Sequence, residues 1–221
     1  MATPRLIVML TNHDVTVPNS KEIFLAAKDA PAEFWGFKDV GLPVDEMKDL
    51  VKCMKDNGKV TFLESIGVGI EAAKAGIELA TECGFDYLMG THYYEETEKL
   101  AETYGIKHLP FVGKRENGNL YGDMEDIINE AKNIADNSAV FGINVSGFRY
   151  RDGDPAELID ALVKSINKPV TSAGSISNYE RLDIMKKIQP WAFTIGGAFF
   201  DHYFGDTFAE QIEIVQNYLR K

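Results

Sequence analysis

The chain has 221 residues, of which 45% are hydrophobic, 26% charged and 11% aromatic, enough apolar material for a substantial core and too much for a disordered or fibrous chain. Lys and Arg number 23 against 34 Asp and Glu, so the formal charge is −11, and a field of that sign repels phosphate backbones and anionic membrane surfaces. Nucleic acid and membranes are therefore not expected partners.

The elements follow one rhythm. Strand-like runs are predicted at Arg5–Thr11, Phe34–Asp39, Lys59–Ser65, Asp86–Thr91, Lys107–Gly113, Ala139–Val145, Pro169–Ser172 and Ala192–Gly196. Helical periodicity fills the intervals near Ser20–Lys28, Val44–Asn57, Ile70–Cys83, Glu95–Tyr104, Asp123–Asp136, Pro155–Ile166, Asn178–Ile188 and Thr207–Leu219. The pairs Asn19/Glu22, Ser177/Glu180 and Thr207/Glu210 have the spacing of reciprocal helix caps, and Asp154-Pro155 places a proline at a first helical position. Gly58, Gly84 and Gly105 stand where left-handed helix ends belong. The N-terminus runs straight into Leu6-Ile7-Val8-Met9-Leu10, and no apolar run approaches the ~20 residues of a membrane span, so a cytoplasmic protein without an export signal is expected. Cys53 and Cys83 read as buried thiols rather than a disulfide or a metal site.

Strands alternating with helices pair in parallel, and eight units of roughly 27 residues favour closure into one (β/α)8 TIM barrel over residues 1–221, without a linker. The first turn, Thr11-Asn12-His13-Asp14, holds no glycine, which argues against a dinucleotide site. Barrel chemistry stands at the C-terminal ends of the strands. That rim is expected to hold Asn12, His13, Asp14, Lys38, Asp39, Glu64, Ser65, Thr91, His92, Lys114, Arg115, Asn144, Ser146, Arg149 and Arg151. Lys59, Lys107 and Lys168 begin strands and fall on the opposite rim. Of the cationic residues, Lys38, Lys114, Arg115, Arg149 and Arg151 are expected to make the mouth locally positive.

Strand seven ends in Ser172-Ala173-Gly174-Ser175 and strand eight in Ile195-Gly196-Gly197-Ala198, small-residue turns that let backbone N–H groups approach an anion. Over Pro169 to Phe200 the sequence resembles the ribulose-phosphate-binding barrels, the superfamily of the histidine- and tryptophan-biosynthetic isomerases and synthases. The resemblance implies a phosphorylated small-molecule ligand held by Gly174, Ser175, Gly196 and Gly197. It departs from the histidine-pathway isomerases, which use aspartates after strands one and five, where this chain has Asn12 and Gly113-Lys114. A weaker internal likeness, Phe85–Tyr94 laid on Trp191–Phe200, resembles half-barrel duplication.

Four residues are singled out for catalysis. Lys38 is read as a cation that polarises a carbonyl, as an imine-forming nucleophile, or as a structural ion pair; Glu64 and His92 as acid–base groups; Asn144 as an orienting donor. His13, Asp14, Glu64 and His92 lack metal-ligand spacing, so no metal is expected. Neither is a cofactor, although flavin phosphate in the same turns would make the protein yellow. The aromatic run Phe199, Phe200, His202, Tyr203, Phe204 is read as a ligand shield or a subunit contact in a homo-oligomer. The expected activity is proton transfer next to a carbonyl of a phosphorylated metabolite, of isomerase, epimerase or aldolase type. Its rivals are a Schiff-base aldolase using Lys38 and a non-catalytic sensor or regulatory barrel.

Overall fold

The computed structural model describes residues 3–221. Eight parallel strands close into a barrel: β1 (Arg5–Met9), β2 (Phe34–Lys38), β3 (Val60–Ser65), β4 (Tyr87–His92), β5 (Lys107–Phe111), β6 (Ile143–Val145), β7 (Val170–Ser172) and β8 (Ala192–Ile195). Each is followed by a helix: α1 (Ser20–Ala27), α2 (Val44–Asp56), α3 (Ile70–Cys83), α4 (Glu95–Tyr104), α5 (Met124–Ala135), α6 (Pro155–Ser165), α7 (Tyr179–Ile188) and α8 (Phe208–Arg220). A one-turn helix, Gly197–Phe200, lies between β8 and α8. The expected TIM barrel is the fold found. Among the described residues no helix is long and apolar enough to cross a membrane.

Period-two alternation gives each strand one column of side chains inside the barrel, and that column changes character along its length. At the N-terminal end Phe34, Phe62, Tyr87, Phe141 and Trp191 form an aromatic plug, with Phe62 and Tyr87 stacked at 4.5 Å and Arg5 lying over Phe34 and Trp191. Ile7, Met9, Met89, Leu109 and Ala192 fill the middle. Toward the C-terminal end the columns turn polar, with Lys38, Glu64, Asn144, Thr171 and Thr194 all buried. Only one end of the barrel is therefore shaped to receive a polar ligand.

Local chemistry departs from expectation at several places. Thr207 and Glu210 form the capping box, and Asp154 caps α6 with Pro155 in its first turn. Asn19 makes no side-chain cap, and α7 is capped by Asn178, which accepts from the Arg181 amide, rather than by Ser177. Strand six is shorter than predicted because the amides of Phe141 and Gly142 both turn to the His108 carbonyl, and Lys168 Nζ holds the carbonyls of Asn137 and Val140. Phe199 and Phe204 are buried, and the rings of Phe199 and Phe200 pack on Phe208 of α8. Phe199 and Phe204 thus belong to the core, Phe200 is half-buried, and His202 and Tyr203 are exposed. Two hairpins also rise above the mouth: Thr11–Asn12 with Val15–Thr16, and Lys114–Glu116 with Asn119–Tyr121.

A buried pair on the outer face of the barrel holds an irregular strand end. His108 Nε2 donates to the Gly90 carbonyl at 2.8 Å, and its Nδ1 lies 2.8 Å from Glu98 Oε1, with neither side chain exposed. This pair braces the point where β4 and β5 slip register between Met89 and His92 and where Thr91 adopts φ 58°. Glu98→Leu and His108→Leu each leave a buried partner without its hydrogen bond and are expected to cost about 3 kcal/mol in denaturant unfolding, the double substitution costing less than the sum.

Candidate active site

The polar end of the barrel opens into a cavity of about 450 Å³. Its floor and walls come from the strand ends: Met9 of β1, Lys38 of β2, Glu64 of β3, Ser146 after β6, Ala173 after β7 and Thr194 of β8. The turns after β7 and β8 close one side, with Gly174, Ser175, Gly196 and Gly197 all lining it.

Parallel pairing sets Lys38 directly opposite Glu64, so two inward side chains of opposite charge meet on neighbouring strands. Lys38 is 5% exposed and Glu64 7%. The Lys38 ammonium is 2.7 Å from Asp14 Oδ1 and 3.6 Å from Glu64 Oε2. Asp14 is therefore the close partner, and the Glu64 carboxylate makes no hydrogen bond within the described protein at all. Asp14 reaches this position because the turn Asn12-His13-Asp14-Val15 has both central residues left-handed, φ 47° and 62°, the geometry that fits a two-residue hairpin but that glycine or asparagine adopts more readily.

Asp14 also accepts two hydrogen bonds from Arg149, each 3.2 Å, and Arg149 Nε donates to Ser175 Oγ at 3.2 Å. Burial works against ionising Asp14, but the hydrogen bonds from Arg149 and Lys38 outweigh it and hold its carboxyl well below the usual range. From the other side Arg181, three residues past the cap of α7, donates to the Ser175 carbonyl and lies over the Phe148 ring at 4.9 Å. Two guanidinium groups thus converge on Ser175, whose backbone is left-handed at φ 63°.

The glycines differ in what they offer. The Gly174 amide is already donated to Thr194 Oγ1 at 2.9 Å, and a Cβ there would meet Arg149 Nε at 2.9 Å. A Cβ at Gly196 would press on the Thr11 carbonyl at 2.7 Å, so this glycine is needed for packing whatever binds. Gly197 faces open space, with only Asn12 Oδ1 near, at 3.5 Å.

Several residues expected at the rim do not enter the cavity. His92 points instead into a separate groove beside α5 with Tyr93, Tyr94 and Glu130, because the irregularity at Gly90 and Thr91 breaks the alternation of β4. Burial, with Arg115 nearby, pushes its imidazole below the usual value. Asn144 is fully buried on β6, below Ser146, which follows the strand and lines the cavity, and neither amide atom finds a partner. Asp39 hydrogen-bonds Ser65 outside the cavity, with burial pushing its carboxyl up. Lys114 and Arg151 are exposed, Lys114 beside Glu116 and Arg151 on Asn119, so neither adds charge to the mouth. Arg181 takes that part instead. The mouth is consequently a mixed field of Lys38, Arg115, Arg149 and Arg181 against Asp14, Glu64 and Asp201 rather than a purely positive one. Among the described residues no group of three or more His, Cys, Asp or Glu is placed to hold a metal ion.

The network predicts an acid response. A carboxyl whose folded pKa is depressed stabilises the fold fully above its unfolded value, near 3.8, and loses that contribution as pH falls further. The melting difference between the wild type and Asp14→Asn should therefore stay constant above about pH 5 and shrink below pH 4, as followed by thermal denaturation across pH.

No family model matches this sequence, and no curated protein matches it. Solved structures do. Orotidine 5'-phosphate decarboxylase from Pyrococcus horikoshii superposes with TM-score 0.74 at 14% identity, covering 98% of this chain and 99% of that one. Phosphoribosyl anthranilate isomerase, in complex with reduced 1-(O-carboxyphenylamino)-1-deoxyribulose 5-phosphate, gives 0.64 at 13% identity over 99% and 100%. The tryptophan synthase complex from Pyrococcus furiosus gives 0.67 at 16% identity over 98% of both chains. Likeness at this level is one of fold, and the fold shared is the closed eight-stranded parallel barrel.

Proposed function

We propose that the protein is an enzyme that binds a small phosphorylated substrate and moves a proton next to its carbonyl group. The observation that carries this is the state of Glu64: a buried carboxylate facing the cavity, free of hydrogen bonds and 3.6 Å from an ammonium that Asp14 holds in place. A carboxylate so placed is available to take a proton from carbon, while Lys38 stabilises the negative charge that develops on the carbonyl oxygen. The proton returned to the neighbouring carbon gives an isomer; returned to the opposite face of the same carbon it gives an epimer.

The phosphoryl group belongs at the turns after β7 and β8. Gly197 leaves the approach open, and Arg181 and Arg149 bring charge to Ser175. Binding energy from that end positions the reacting carbons near Lys38 and Glu64. One similar structure is a decarboxylase named for orotidine 5'-phosphate and another was solved with a deoxyribulose 5-phosphate, which supports a phosphorylated ligand for this barrel. His92 and Asn144 are not given proton-transfer roles, since neither lines the cavity.

Solvent exchange tests the chemistry across a range of substrates at once. A panel of phosphorylated aldoses and ketoses incubated with the protein in D2O should include at least one that gains deuterium beside its carbonyl. Glu64→Gln should slow that exchange by a factor on the order of 10² or more while leaving binding intact, because Lys38 keeps Asp14 as its partner. Binding without exchange across the panel would identify a sensor barrel instead. Borohydride with the same substrates should trap no adduct, since the Lys38 amine would have to leave both carboxylates to form an imine.

Gly197→Val tests the phosphate turn more cleanly than a change at Gly196, because a side chain at 197 meets no backbone. It is expected to weaken inorganic phosphate binding at least tenfold in calorimetry with the melting temperature nearly unchanged.

A further inference from the structure

Four cationic side chains line the cavity, and three of them have protein partners. Lys38 has Asp14 and Glu64, Arg149 has Asp14 and Ser175, and Arg181 has the Ser175 carbonyl. Arg115 has none. Among the described residues its side chain makes no salt bridge and no hydrogen bond, and its Nε is buried without a partner. Its guanidinium carbon lies over the Phe111 ring, 3.4 Å from the centroid, a contact that holds the group but supplies no anion.

A desolvated guanidinium without a counter-charge is costly, and burial accordingly pushes Arg115 below its usual value. A second unsatisfied group lies below the cavity on the neighbouring strand. Asn144 is paired in register with Phe111, its side chain is wholly buried, and both its amide nitrogen and its amide oxygen lack partners. Arg115 lines the cavity from the hairpin that follows β5, whereas the phosphate turns follow β7 and β8, with β6 between them in the barrel. The hairpin Lys114–Glu116 with Asn119–Tyr121 presents Arg115 there, its turn made by Asn117 and Gly118, both left-handed.

We propose that Arg115 binds a carboxylate at the end of the substrate remote from its phosphoryl group. The substrate class is then a phosphorylated acid, carrying the carbonyl between its two anionic ends. A planar guanidinium matches a carboxylate through two parallel hydrogen bonds. Glu64 and Asp14 share the cavity and act on Arg115 through space, yet neither is within salt-bridge distance of it, so the site is unfilled by the chain itself.

This inference rests on the phosphate assignment above, and matched probes separate the two. Calorimetry compares 4-phosphoerythronate with erythritol 4-phosphate, and 6-phosphogluconate with glucitol 6-phosphate, each pair differing chiefly in the terminal carboxylate. In at least one pair the acid should bind about tenfold or more tightly than the alcohol to the wild type. Arg115→Met should erase that preference and leave alcohol binding unchanged, which also shows that the variant is folded, whereas Gly197→Val should weaken both members. Arg115→Lys should recover only part of the preference, because an ammonium lacks the paired geometry. Alcohols and acids binding equally in both pairs would overturn the carboxylate site and leave the phosphate site standing. No binding by any of the four would overturn the phosphate assignment and this inference with it.

Discussion

A lysine ammonium inside the mouth of a barrel must be neutralised by its neighbours, because desolvating an unpaired charge costs more than a domain can spare. Lys38 meets this constraint twice over, with Asp14 at 2.7 Å and Glu64 at 3.6 Å. Asp14 then takes on a second cation, Arg149, and Arg149 reaches across to Ser175. Residues on the second and third strands and residues that follow the first, sixth and seventh are thereby joined in one polar network. Its members compete for Asp14, so Glu64 is left with only a distant contact. A protein built solely for stability would have no reason to leave that carboxylate short of hydrogen bonds.

The barrel makes this arrangement sustainable by concentrating its apolar material at the other end. Phe34, Phe62, Tyr87, Phe141 and Trp191 seal the N-terminal opening, and Met9, Met89 and Leu109 fill the middle. The polar groups above them sit on a floor that excludes water from below, which strengthens each charge interaction in the mouth. The outward faces of the strands pack against the helices in continuous hydrophobic layers that include Trp35, Phe37, Leu63 and Phe193. Three non-glycine residues with positive φ, His13, Asp14 and Ser175, line this mouth.

Much of this was legible in the sequence, for identifiable reasons. Alternating strand and helix periods led to the closed barrel, and the small-residue runs near Gly174 and Gly196 led to its open rim. Lys38 and Glu64 could be paired from the sequence because β2 and β3 run without a bulge, so inward parity holds to their ends. Parity failed for His92, because the irregularity at Gly90 and Thr91 is driven by tertiary contacts with His108 and Glu98 that no local pattern encodes. It also failed to choose between Lys114 and Arg115. The Asn117-Gly118 turn was a usable signal there, since a hairpin with that turn sends neighbouring side chains to opposite faces. Arg181 gave no such signal in the sequence; its place in the cavity depends on how α7 is docked against Phe148 and Ser175.

The most direct measurement is a crystal structure of the protein soaked in inorganic phosphate, with the bound ion located against the two turns. The expected result is phosphate between Ser175 and Gly197, contacted by Arg181, with Lys38, Asp14 and Glu64 still together and unliganded by it. Phosphate seated instead on Lys38 beside Glu64, or absent from the cavity at concentrations that saturate binding in solution, would contradict the division of the mouth into a phosphate end and a proton-transfer end.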